Sequence, residues 1–151
     1  MNKKHDLPYM PFYYGDWMKA PEIRALDLNV RMIWFEMLGI MWESTERGYL
    51  TINGKPVITP VITKILGVPI TELENALKQM EQYNVFSKRE DGAIYSRRMV
   101  RDEQIRLIKS KAGVEGMNKR YNKKKPKSVI TPVITPVIST VITEYDNDID
   151  I

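Results

Sequence analysis

Between Asp27 and Ser44 the chain carries Val30, Ile33, Trp34, Met37, Leu38 and Met41 at steps of three and four residues. That spacing puts all six on one face of a helix. Met32, Phe35, Ile40 and Trp42 fall off the stripe, so the helix is apolar on most sides and is expected to be a central one, covered by neighbours. Asp27 is its expected N-cap, Ser44 its end, and Gly48 closes the connection that follows. The remaining segments must supply the cover.

They divide into short elements. Tyr49 to Ile52 reads as a strand closed by the turn pair Asn53-Gly54. A second helix is expected from Thr59, with Pro60 in its first turn, and Gly67-Val68-Pro69 breaks it. Thr71 and Glu74 have capping-box spacing and start a third helix whose inward side is Leu73, Ala76, Leu77 and Met80. Val85 to Lys88 and Ala93 to Ser96 are β-prone runs joined by an Asp91-Gly92 turn, a hairpin. Met10 to Trp17 is aromatic-rich and expected as an extended arm over the core, and Pro21 to Leu26 as one short helical turn. Helix, strand, helix, turn, helix, hairpin is the order of a winged helix-turn-helix. The expected class is mainly α with a small β-sheet (α+β).

After the hairpin, Met99, Ile105, Leu107 and Ile108 among Arg and Lys predict a C-terminal basic helix, weakened at Gly113 and Gly116. The expected organisation is a winged-helix domain with its aromatic arm over 1–110, a basic linker over 111–128 and a low-complexity tail over 129–151. In that tail Val-Ile-Thr-Pro recurs every four residues, which forbids helix and central strand and predicts disorder, before an end rich in Asp and Glu. Three readings of the repeat stand side by side. It is a docking peptide, an origin encoded in the DNA, since each unit spans about 12 base pairs, near one turn of duplex, or a neutral tail left by replication slippage.

Several classes of function fit poorly. A chain of 151 residues has room for one domain and its extensions. Cysteine is absent, consistent with a reducing cytosol, and the sole histidine, His5, sits in a polar stretch as an exposed bystander, so no metal, cofactor or catalytic role is expected. Asp6, Pro8 and Pro11 interrupt any signal peptide, and the apolar run Met37 to Trp42 is far too short to span a bilayer, so the protein is expected in the cytoplasm. Gly48 and Gly54-Lys55 miss the phosphate-loop spacing by one residue and continue with Pro56. The chain is not expected to be an enzyme.

Charge carries the positive evidence. From Arg97 to Lys127 there are twelve Arg and Lys against three acids, a net of +9, while the whole chain is only +4. Such a block is an electrostatic footprint for a polyanion, because neutralising phosphates releases counterions. Asn75, Lys78, Gln79 and Gln82 line the outer side of the third helix, with chemistry suited to base edges and phosphates. Lys88 and Arg89 at the hairpin, then Arg97, Arg98 and Arg101, and further on Lys119 and Arg120, are the expected phosphate contacts. Double-stranded DNA is the expected partner. A winged-helix transcriptional regulator and a protein-interaction adaptor with a basic docking segment are the alternatives. Homodimerisation through the apolar residues of Met99 to Ile108 is left open.

Several segments together resemble phage and prophage replication-initiation proteins, or replisome organisers, with an N-terminal winged helix, including the YdaU-like group. They are Met10-Pro11-Phe12-Tyr13-Tyr14-Gly15-Asp16-Trp17, Met41-Trp42-Glu43-Ser44 with Arg47-Gly48, Leu66-Gly67-Val68, the Tyr95 to Glu103 run, and Lys111-Ala112-Gly113 to Arg120-Tyr121. The resemblance covers about residues 8 to 121. It implies binding of phage origin DNA and recruitment of a replicative helicase or helicase loader. The short repetitive tail departs from the further C-terminal domain such proteins often carry.

Overall fold

A computed structural model describes residues 8–124. The expectations for His5, for the end of the linker and for the repetitive and acidic tail lie outside these residues. One compact unit is Met10–Glu103; of the other described residues, Pro8, Tyr9 and 104–124 fall in a second. The division lies at 103/104, inside a helix.

The expected central helix is α3, Leu28–Glu43, with Asp27 at its N-cap and Ser44 at its C-cap. Val30, Ile33, Trp34, Met37 and Met41 are its buried face. The cover is broad but incomplete: Phe35, Leu38, Ile40 and Trp42 are half-buried, while Met32 is 52% exposed and Leu28 69%. Ahead of it lie α1 (Tyr14–Lys19) and α2 (Pro21–Arg24), the latter with Pro21 at its start as expected. The arm is therefore not extended throughout. Its rings fold it into a turn of helix, because Phe12 and Trp17 pack together at 5.4 Å and both reach Phe35, at 5.3 and 6.1 Å.

After α3 come β1 (Thr51–Ile52) and β2 (Lys55–Pro56), paired antiparallel with Ile52 opposite Lys55. Asn53 and Gly54 both have positive φ, 52° and 76°, the conformation that a two-residue hairpin turn demands. Helix α4, Thr59–Leu66, carries Pro60 in its first turn and ends at Gly67, whose left-handed backbone lets its N–H close onto the Thr63 carbonyl. Helix α5, Ile70–Gln82, buries Leu73, Ala76 and Met80. The capping box does not form. Pro69 fixes an extended backbone at the N-cap, so the helix begins before Thr71, and Thr71 and Glu74 lie inside it.

The second hairpin, β3 (Ser87–Lys88) and β4 (Ile94–Tyr95), is antiparallel with Lys88 opposite Ile94. The segment before β1 pairs with it: the Leu50 N–H donates to the Ile94 carbonyl at 2.8 Å and the Ser96 N–H to the Gly48 carbonyl at 2.9 Å. The core between α3, α4, α5 and the hairpin is a single cluster in which Met37, Met41, Leu50, Ile62, Leu73 and Met80 are fully enclosed. The protein is thus mainly helical with small antiparallel sheets.

The last element, α6, is one unbroken helix from Arg97 to Lys124. It passes through Gly113, Gly116 and the stretch expected to be linker. Two glycines cost only about 1 kcal/mol each against alanine, too little to stop a helix that long helix-forming residues continue on either side.

Candidate nucleic-acid interface

The outer side of α5 follows directly from its buried one. Leu73, Ala76 and Met80 set the inward direction, which leaves Asn75, Lys78 and Gln82 exposed on the opposite side at steps of three and four. Among the described residues none of these three side chains has a hydrogen-bond or ion-pair partner. Gln79 shares the stripe but is occupied. Its amide donates to the Asp27 carboxylate at 2.7 Å and accepts from the Asp27 N–H at 3.3 Å, tying α5 to the start of α3. A base contact by Gln79 would have to break that reciprocal pair. It also explains why Asp27 occupies the N-cap of α3 without capping it through its side chain.

Much of the hairpin's expected cationic surface is spoken for by nearby acids. Lys88 is ion-paired with Glu81 of α5. Arg89 spends its whole guanidinium: Nη1 meets Glu46 at 2.6 Å, Nε and Nη2 meet Asp91 at 3.0 and 2.7 Å, and Nη2 also reaches the Gly54 carbonyl at 3.4 Å. The Asp91 and Glu46 carboxylates raise the Arg89 pKa. In return Arg89, helped by the Ala93 N–H, holds the Asp91 carboxyl down to about 2. Arg89, expected as a phosphate contact, is thus a clasp between the two hairpins, and a phosphate would have to compete with these partners for it.

The arginines that open α6 are divided. Arg98 pairs with Asp16 at 2.7 Å and lies 3.9 Å over the Tyr13 ring. Arg101, its side chain 65% exposed, reaches Asp102 alone among the described residues, at 3.8 Å. Arg97 donates to the Ser87 hydroxyl at 2.9 Å and the Asn84 carbonyl at 2.6 Å, and among the described residues no carboxylate pairs with it. The chain folds so that acids distant in sequence, Asp16 and Glu46 among them, meet these cations. Sequence spacing held no signal of those meetings.

More cations lie further along α6. Residues 104–124 hold seven Arg and Lys against one acid, Glu115. Lys109, Lys111, Lys119, Arg120 and Lys123 are exposed, and among the described residues none has a carboxylate partner. On a helical projection Lys109, Lys119, Arg120 and Lys123 fall within a sector of about 100°. Leu107, Val114, Met117 and Tyr121 fall on the other side. Lys109, Lys111 and Lys123 were not among the expected phosphate-binding residues, although continuing the helical projection through Gly113 and Gly116 would have found them.

The root of α6 is locked onto the body. Arg47, with 4% of its side chain exposed, meets Glu103 at 3.5 Å and stacks on Trp42 at 3.9 Å. Among the described residues no helix is long and apolar enough to cross a membrane. Comparison with known proteins finds no family model, no curated protein and no solved structure that matches this chain.

Proposed function

We propose that the protein binds double-stranded DNA as a winged helix-turn-helix and acts in the initiation of phage or prophage DNA replication. In this reading α4 and α5 are the helix-turn-helix pair. Helix α5 offers Asn75 and Gln82 to base edges and Lys78 to phosphate, and β3–β4 is the wing. The observation that carries the proposal is the row of exposed cations on α6 that have no carboxylate partner among the described residues, since phosphate neutralisation supplies a large share of the affinity of such complexes. Arg97, at the root of the same helix, adds a charge with no acid against it among the described residues. The replication role rests on the family resemblance, with a replicative helicase or its loader as the protein partner. A winged-helix transcriptional regulator would use the same two helices.

Salt-dependent DNA binding tests the proposal. Replacing Lys119, Arg120 and Lys123 together by Ala should lower the slope of log affinity against log salt by about three counts, roughly 0.9 for each phosphate no longer neutralised. Arg89→Ala should leave that slope unchanged, because its guanidinium is already saturated by carboxylates. An unaltered slope in the triple variant refutes duplex binding by α6. Footprinting on the protein's own gene and its flanks then separates an origin from an operator.

A further inference from the structure

Phe12, Tyr13, Tyr14 and Trp17 make the start of the folded body the densest aromatic stretch of the chain, yet α1 buries none of its residues. The four rings divide into two pairs with different tasks. Phe12 and Trp17 clamp Phe35, which seats the arm on α3. Tyr13 and Tyr14 are 51% and 65% exposed, so core packing does not account for them.

One cation is already oriented against Tyr13. The Arg98 guanidinium lies over the Tyr13 ring at 3.9 Å, and Asp16 holds it there at 2.7 Å. Arg101 follows Arg98 at the next turn of α6 with most of its side chain in solvent. Lys19, at the end of α1, is exposed and has no ion-pair partner among the described residues. Arg98 and Arg101 are matched by Asp16 and Asp102, all four at the surface, and Lys19 adds a further exposed cation on α1.

We infer that Tyr13, Tyr14, Arg98 and Arg101 form a binding site for single-stranded nucleic acid, separate from the duplex-binding surfaces. Unpaired bases expose flat faces that stack on aromatic rings and guanidinium planes without regard to sequence, and their backbone needs cations within reach. Within a duplex those faces are covered by neighbouring base pairs, so this site discriminates against double strands. The clamp on Phe35 gives the rings a fixed seat, which reduces the ordering cost of binding. The inference does not depend on the duplex reading, because it uses none of the residues assigned to that surface on α5 or beyond residue 103.

Fluorescence anisotropy with a short oligo-dT and a matched duplex tests it on the full chain. Tyr13→Ala and Tyr14→Ala should each weaken oligo-dT binding about tenfold, the usual loss for one stacked base, while Tyr14→Trp preserves it. Duplex affinity should stay within about twofold of wild type in all three. Both rings are exposed, so the melting temperatures of the variants should match the wild type and folding is not at issue. If the Tyr13→Ala, Tyr14→Ala double variant binds oligo-dT as the wild type does, the rings serve a protein contact or none, and the site is overturned. Oligo-dT binding that disappears only with Lys119, Arg120 and Lys123 overturns it equally, while leaving the duplex reading intact.

Discussion

Two glycines make the same substitution a test of opposite sign. Gly48 sits at φ +96°, and a Cβ added there would stand 2.6 Å from Val100 Cγ2, 2.9 Å from the Val100 amide nitrogen and 3.2 Å from its Cα. The Val100 N–H is bonded to the Ser96 carbonyl in the first turn of α6, so the obstacle is backbone and cannot swing aside like a long side chain. A left-handed backbone costs a non-glycine residue about 1–3 kcal/mol, and forced overpacking about the same again, so Gly48→Ala should destabilise by about 2–6 kcal/mol. For a domain of this size that lowers the melting temperature by at least about 8 °C. Gly39, within α3, has no atom within 4 Å of a Cβ added to it. There Ala relieves the helix of a glycine and should stabilise by up to about 1 kcal/mol, raising the midpoint by a few degrees. Thermal unfolding followed by far-UV circular dichroism reads both. A Gly48→Ala midpoint within about 2 °C of wild type, or two shifts of the same sign, would refute the close approach of the 48–50 segment to the root of α6.

The buried Arg47–Glu103 pair and the Arg89 clasp give two further expectations. Arg47→Ala removes a largely buried ion pair with Glu103 together with the stack on Trp42, and should lower the urea midpoint. Asp91 titrates at about 2 when folded against an ordinary value of 3.8. The stability it contributes is therefore fully present above pH 3.8 and is lost as pH falls through about 2. The urea midpoint of wild type should exceed that of Asp91→Asn at neutral pH, and the two should converge on acidification across that window. Curves that stay parallel down to pH 2 would remove the ion pair from the balance.

The fate of the arginines also bears on how the proposed complex would form. Arg98 and Arg101 are held by exposed carboxylates, and exposed pairs are worth only about 0–1 kcal/mol, so a phosphate can compete for them. Arg89 is different, because several acceptors hold it at once and it lies partly against the Tyr49 ring, 5.0 Å away. A ligand would have to replace all of them together.

Local chemistry determined the elements. The period of Val30 to Met41 set α3; Asn53-Gly54 set the first turn; Pro60 and Gly67 bounded α4; Gly92 allowed the second hairpin. These are short-range effects of backbone sterics and side-chain spacing, which act within a few residues and can be read there. Even so, Pro69 overrode the capping box beside it, and the helix-forming residues around Gly113 and Gly116 outweighed both glycines. The basic block was likewise visible as a sum of charges. Tertiary structure alone decided which of those charges remain available. Arg89 meets Glu46 across forty-three residues, Gln79 meets Asp27 across fifty-two and Arg47 meets Glu103 across fifty-six, all brought within bonding distance by the packing of one core. Coulomb attraction depends on distance in space and not along the chain, so the sequence could count cations but could not say which would find a carboxylate first.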